Sequence, residues 1–75
     1  MRLRLSRHTR NKMRFDRITE DELRACLENP DSAVPTVKGR TRYQQAIPGN
    51  VITLVAIPEG EDVIIVTVFL RYRRR

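Results

Sequence analysis

Seventy-five residues with fifteen Lys/Arg against nine Asp/Glu carry a net charge of +6, enough chain for one small domain spanning 1–75 and too little for a second core. The longest largely apolar run, Val63 to Leu70, has eight residues, far below the roughly 20 of a membrane-spanning helix. The basic N-terminus also lacks the apolar stretch and cleavage site of a secretory signal, so a soluble, cytoplasmic protein without a membrane partner is expected.

The chain opens with Met1, Leu3 and Leu5 alternating with Arg2 and Arg4, which allows a short lead-in strand with one apolar and one basic side. Ser6 suits the N-cap of a first helix running to about Arg14, with Leu5, Thr9 and Met13 as a weak inward stripe and His8 beside Lys12 at i,i+4. The second helix is marked more strongly. Thr19 and Glu22 form a capping box, Ile18 and Leu23 a hydrophobic staple, and Asn29 with Pro30 ends it. Leu23, Cys26 and Leu27 recur at helical spacing, which makes Cys26 a small core residue rather than a nucleophile; as the single cysteine, it excludes an internal disulfide and fits a reducing compartment.

Beyond Pro30 the pattern is extended: Ala33 to Val37, a KGR turn, Thr41 to Ile47, a PGN turn, Val51 to Ile57, a PEGED turn, then Val63 to Leu70. These segments predict an antiparallel meander of four strands and, with the helices, an α+β fold. The last two strands are apolar on both faces, as central strands are. Two short helices can cover one face of such a sheet. The other must curl on itself, receive the N-terminal segment or meet a partner, and a partner is expected.

Charge is segregated along the chain. Residues 1–17 hold seven Lys/Arg and one acidic residue, residues 18–35 are net acidic, residues 36–56 carry three cations and no acid, and residues 70–75 carry four arginines, forming an Arg-rich tail from 71 to 75. Brought together, the basic blocks would attract a polyanion such as RNA or DNA. With one His and one Cys, and acids mostly in caps and turns, no metal-ligand spacing is present and no cofactor is expected. No glycine opens a helix as a phosphate-binding loop would.

Metal-free RNA cleavage needs a proton acceptor for the 2′-hydroxyl, cations for the developing phosphorane charge and an acid for the leaving oxygen. His8 is the one side chain whose ordinary pKa lies near neutrality, and Lys12 a turn later would favour its neutral form. Arg40, Arg42 and Arg71 can hold phosphate, and Tyr43 can stack a base or donate a proton. Thr67 is the polar residue of an otherwise apolar strand. Each also has a structural explanation: a surface or packing histidine, a tyrosine at a sheet edge, a threonine that simply favours strands, and solvated arginines.

The order SRHTRNKM, RITEDELRACLENPD, KGRTRY and VIIVTVF, over about residues 5 to 70, resembles a family of small bacterial domains related to RelE-like toxins. That family is grouped with the barnase, EndoU, colicin and RelE nuclease-like superfamily. The resemblance implies two N-terminal helices packed on a curved, four-stranded antiparallel sheet and metal-independent endoribonuclease activity. A toxin of this kind would have its antitoxin encoded in a neighbouring gene, and the substrate stays open among free RNA, ribosome-bound message, tRNA and DNA. By motif match its polar positions fall on His8, Lys12, Arg40, Arg42, Tyr43 and Thr67. Lys12 stands where the family usually has Arg, and Asp16-Arg17 where Arg-Gly is more usual. The expected catalytic set is therefore His8, Lys12, Arg40, Tyr43 and Thr67, with Arg4, Arg7, Arg10, Arg42, Arg71 and Arg73 holding nucleic acid. The competing class is a non-catalytic module that binds nucleic acid or protein, partner-bound or as a homodimer.

Overall fold

The computed structural model describes residues 1–72. Its elements run β1 (Arg2–Leu5), α1 (Arg7–Asp16), α2 (Glu20–Glu28), β2 (Ser32–Pro35), a short 3-10 turn (Val37–Gly39), β3 (Thr41–Ile47), β4 (Asn50–Glu59) and β5 (Asp62–Tyr72). The protein is α+β, with two helices and one sheet in the order β1-β5-β4-β3-β2.

The sheet corrects the expectation of four antiparallel strands: it has five and is mixed. The lead-in segment becomes β1, which pairs in parallel with β5 so that Leu3 lies against Val63 and Leu5 against Ile65. That register turns both leucines toward the core, while Arg2 and Arg4 take the opposite side. β2 ends at Pro35 rather than Val37, because Lys38 and Gly39 adopt left-handed conformations (φ 59° and 72°) that close a tight turn. β4 and β5 run longer than expected and meet in a two-residue hairpin, Gly60–Glu61. Gly60, at φ 63°, stands at the first central position, where such a turn calls for glycine.

The core lies on one face of the sheet. Ile52, Leu54 and Ala56 of β4 and Ile65 and Val68 of β5 pack there against Ile18, Leu23 and Cys26. α2 carries the capping box in full, with Thr19 accepting from the Glu22 amide at 3.1 Å and Glu22 accepting from the Thr19 amide at 2.8 Å. Its far end is held by Gln45, whose amide donates to the carbonyls of Ala25 and Asn29 at 3.3 and 3.1 Å.

α1 is fixed to the sheet by a polar contact. Between Val55 and Ala56 the β4–β5 register slips, leaving Val66 unopposed in a β-bulge. Thr9, fully buried, donates its hydroxyl to the Ile65 carbonyl at 3.1 Å. Ser6 donates to Thr9 Oγ1 at 3.0 Å and caps the helix by accepting from the Thr9 amide at 3.1 Å. One threonine thus hydrogen-bonds the β5 backbone at the bulge, at the Ile65 and Val66 carbonyls, and holds α1 in place.

Candidate nucleic-acid interface

With Thr9 and Met13 facing the sheet, a period of 3.6 residues puts Arg7, Arg10 and Arg14 in one stripe along the outside of α1. Arg17, the C-cap, follows just beyond the helix. All four are exposed. The one acid among the first 17 residues, Asp16, is taken up by Lys12 at 3.6 Å. Among the described residues, no carboxylate forms an ion pair with Arg7, Arg10, Arg14 or Arg17. Beside the stripe, at helical spacing, stand His8, Asn11 and Phe15, also exposed. Phe15 is 85% exposed, the most open of the large hydrophobic side chains among the described residues.

A second basic surface lies on the helix-free face of the sheet. Register places Arg42 beside Val55 and Val55 beside Thr67, in one row across β3, β4 and β5. Arg71 lies two residues beyond Phe69 on the same side, with its guanidinium 5.5 Å from the ring centroid. Arg4 shares this face but pairs with Glu59 at 3.6 Å; both side chains are more than half exposed, so the pair contributes little. The middle of the face is half-buried and apolar, with Val55, Ile57, Ile64 and Phe69, and Gln44 donates to buried Thr53 at 3.1 Å.

The residues expected to cleave RNA are distributed over both layers. His8 and Lys12 are on α1, and Lys12 is engaged by Asp16. Tyr43 pairs with Leu54 on the helix-facing side of β3 and packs at the margin of the core, whereas Thr67 is on the opposite face. The sheet stands between them. Arg40 follows the 3-10 turn, half-buried, with a buried Nε that has no hydrogen-bond partner. Of the expected nucleic-acid contacts, Arg7 and Arg10 belong to the α1 stripe, Arg4, Arg42 and Arg71 to the sheet face, and Arg73 lies outside the described residues. Arg71 and Tyr72, the first two positions of the expected tail, belong to β5.

Sequence reasoning missed Arg14, Arg17 and Phe15. The signal was present in the spacing: once Thr9 and Met13 are taken as inward, residues 7, 10 and 14 and residues 8, 11 and 15 fall on two adjacent outward rows. Cys26 is buried, and loss of solvation, reinforced by the charge of Asp31, pushes its thiol up to about 11. It stays protonated, hence unreactive, at neutral pH. Among the described residues, no group of three or more His, Cys, Asp or Glu could hold a metal, and no helix is long and apolar enough to cross a membrane.

No protein-family model, curated protein or solved structure matches the chain.

Proposed function

We propose that this domain binds RNA, with the arginine stripe of α1 as its main phosphate-binding surface. The observation that carries the reading is the row Arg7, Arg10 and Arg14, with Arg17 just beyond it, exposed and without an acidic partner among the described residues. Such a row brings a helix little stability: Arg14 suits the dipole in the last turn, but Arg10 and Arg14 at i,i+4 repel and Arg7 stands at the positive end. A phosphate backbone gains one released counterion per contact. Planar guanidinium forks also match phosphate better than ammonium groups do. The choice of RNA among polyanions, and the toxin-type assignment, rest on the resemblance to RelE-like domains alone.

A cleaving role is the second reading, favoured by the position of His8, exposed on α1 beside the stripe. There His8 would take the 2′-hydroxyl proton as that oxygen attacks phosphorus, and neighbouring guanidiniums would stabilise the phosphorane. The 5′-oxygen would leave on taking a proton from solvent water, giving a 2′,3′-cyclic phosphate.

The test is fluorescence anisotropy of a labelled single-stranded RNA, in EDTA, between about 50 and 200 mM salt. Wild-type protein should bind with an affinity that falls linearly in log salt. Arg10→Glu with Arg14→Glu should bind at least tenfold more weakly, with the slope shallower by about 0.7 for each phosphate that is no longer neutralised. An unchanged slope and affinity would remove α1 from the interface. Gel analysis of the same mixtures decides the chemistry: cleavage abolished in His8→Ala while binding persists supports the ribonuclease reading, and intact RNA with wild-type protein leaves a binding module.

A further inference from the structure

We infer that Phe15 is a stacking platform for an unpaired base, which makes single-stranded RNA the ligand class of the α1 surface. The inference rests on the proposed RNA-binding role of that surface. Phe15 is 85% exposed, so the burial of a ring that would help hold this small domain together goes unused. Nor does α1 need it for docking, since Thr9 and Met13 already face the sheet. What Phe15 does share is the outward row with His8 and Asn11, which adjoins the row of Arg7, Arg10 and Arg14 around the helix.

A flat aromatic face next to phosphate-binding guanidiniums suits a strand whose bases are splayed out. Stacking on an aromatic ring is worth a substantial part of the affinity per base and is tolerant of sequence. A duplex offers phosphates and groove edges but no free base face, so it would use the arginines and leave the ring in water. Asn11, one turn before Phe15, adds an amide that can both donate to and accept from a base edge. A second copy of the chain is a poor occupant, because pairing α1 with α1 would bring the two arginine stripes together. A membrane surface fits no better. Interfacial helices present a broad apolar face, and this row is His8, Asn11 and one phenylalanine.

The experiment compares full-length wild type, Phe15→Ser and Phe15→Trp by anisotropy on a 12-nucleotide single-stranded RNA and on a duplex of the same length, with circular dichroism confirming that each protein is folded. Expected is a loss of roughly 5- to 100-fold for Phe15→Ser on the single strand, little change on the duplex, and recovery with Phe15→Trp. A 2-aminopurine base in the strand should be quenched by wild type and not by Phe15→Ser. Equal affinity of wild type and Phe15→Ser for the single strand overturns the inference while leaving the arginine stripe in place. So does a dimer that Phe15→Ser dissolves without changing RNA affinity. Binding to phosphatidylserine vesicles that requires Phe15, with single-strand affinity indifferent to it, overturns it as well. Failure of wild type to bind either RNA removes the proposed function and this inference together.

Discussion

The two helices of this protein are neighbours of nearly equal length, ten and nine residues, built on opposite terms. α2 follows the rules of a stable helix. It has a complete capping box, three acids in its first turn, an i,i+4 pair between Glu20 and Arg24 at 3.4 Å, and Leu23 and Cys26 fully buried. α1 has no acid in its first turn, and its one fully buried side chain is a threonine. It begins with Arg7 at the positive end of the helix dipole and ends on Arg17 in a left-handed conformation, φ 56°. Where local choices run against stability in one element and with it in the next, the first is where a surface role is expected.

Truncations on the two sides should separate them most. Leu23→Ala should cost about 2–5 kcal/mol, enough to leave much of so small a domain unfolded. Met13→Ala on α1, at a half-buried position, should cost clearly less; equal losses in thermal denaturation would erase the distinction. Next in size is Thr9→Val, which keeps the volume but removes the hydroxyl serving the Ile65 carbonyl at the bulge. A buried acceptor left unpaired should cost about 1–3 kcal/mol. If α1 is held mainly by that bond, amide exchange in Arg7–Asp16 should accelerate in this variant more than exchange in Glu20–Glu28. Thr19→Ala should cost about 1 kcal/mol through the cap alone.

These differences also mark what could be read in advance. The start of α2 is legible to the residue, because a capping box and staple are local signals within five positions of one another. β3 is legible as well, bounded as it is by KGR and PGN turns. β1 is visible as alternation, but its parallel pairing with β5 joins residues some sixty positions apart, and nothing local specifies that partner. The bulge at Val66 is hidden because VIIVTVFL is apolar on both faces, so a one-residue slip leaves the pattern unchanged. The site is legible in kind more than in place. Basic charge at residues 1–17 is plain, yet the candidate acid–base set rests on residue types along the chain, and the sheet puts Tyr43 and Thr67 on opposite faces. Phe15 escapes a sequence reading because an aromatic in a small domain is ordinarily core; its exposure follows from Thr9 rather than Phe15 facing the sheet.

The smallest expected changes in stability bear most directly on the comparison, because they should go the wrong way for a helix that only holds the fold together. Arg7→Glu puts an anion where the helix dipole favours one and should stabilise by about 0.3–1 kcal/mol, which for a domain of this size raises Tm by roughly 1–8 °C. Arg17→Gly relieves a left-handed backbone that costs a non-glycine residue about 1 kcal/mol or more and should raise Tm by a similar amount. Both variants should bind single-stranded RNA more weakly than wild type, with shallower salt slopes. Gains in Tm accompanied by lower affinity would mean that α1 gives up stability at both ends, through the charge of Arg7 at its start and the left-handed backbone of Arg17 at its close. A fall in Tm for both, with RNA affinity unchanged, would make Arg7 and Arg17 structural residues and leave α1 no different in kind from α2.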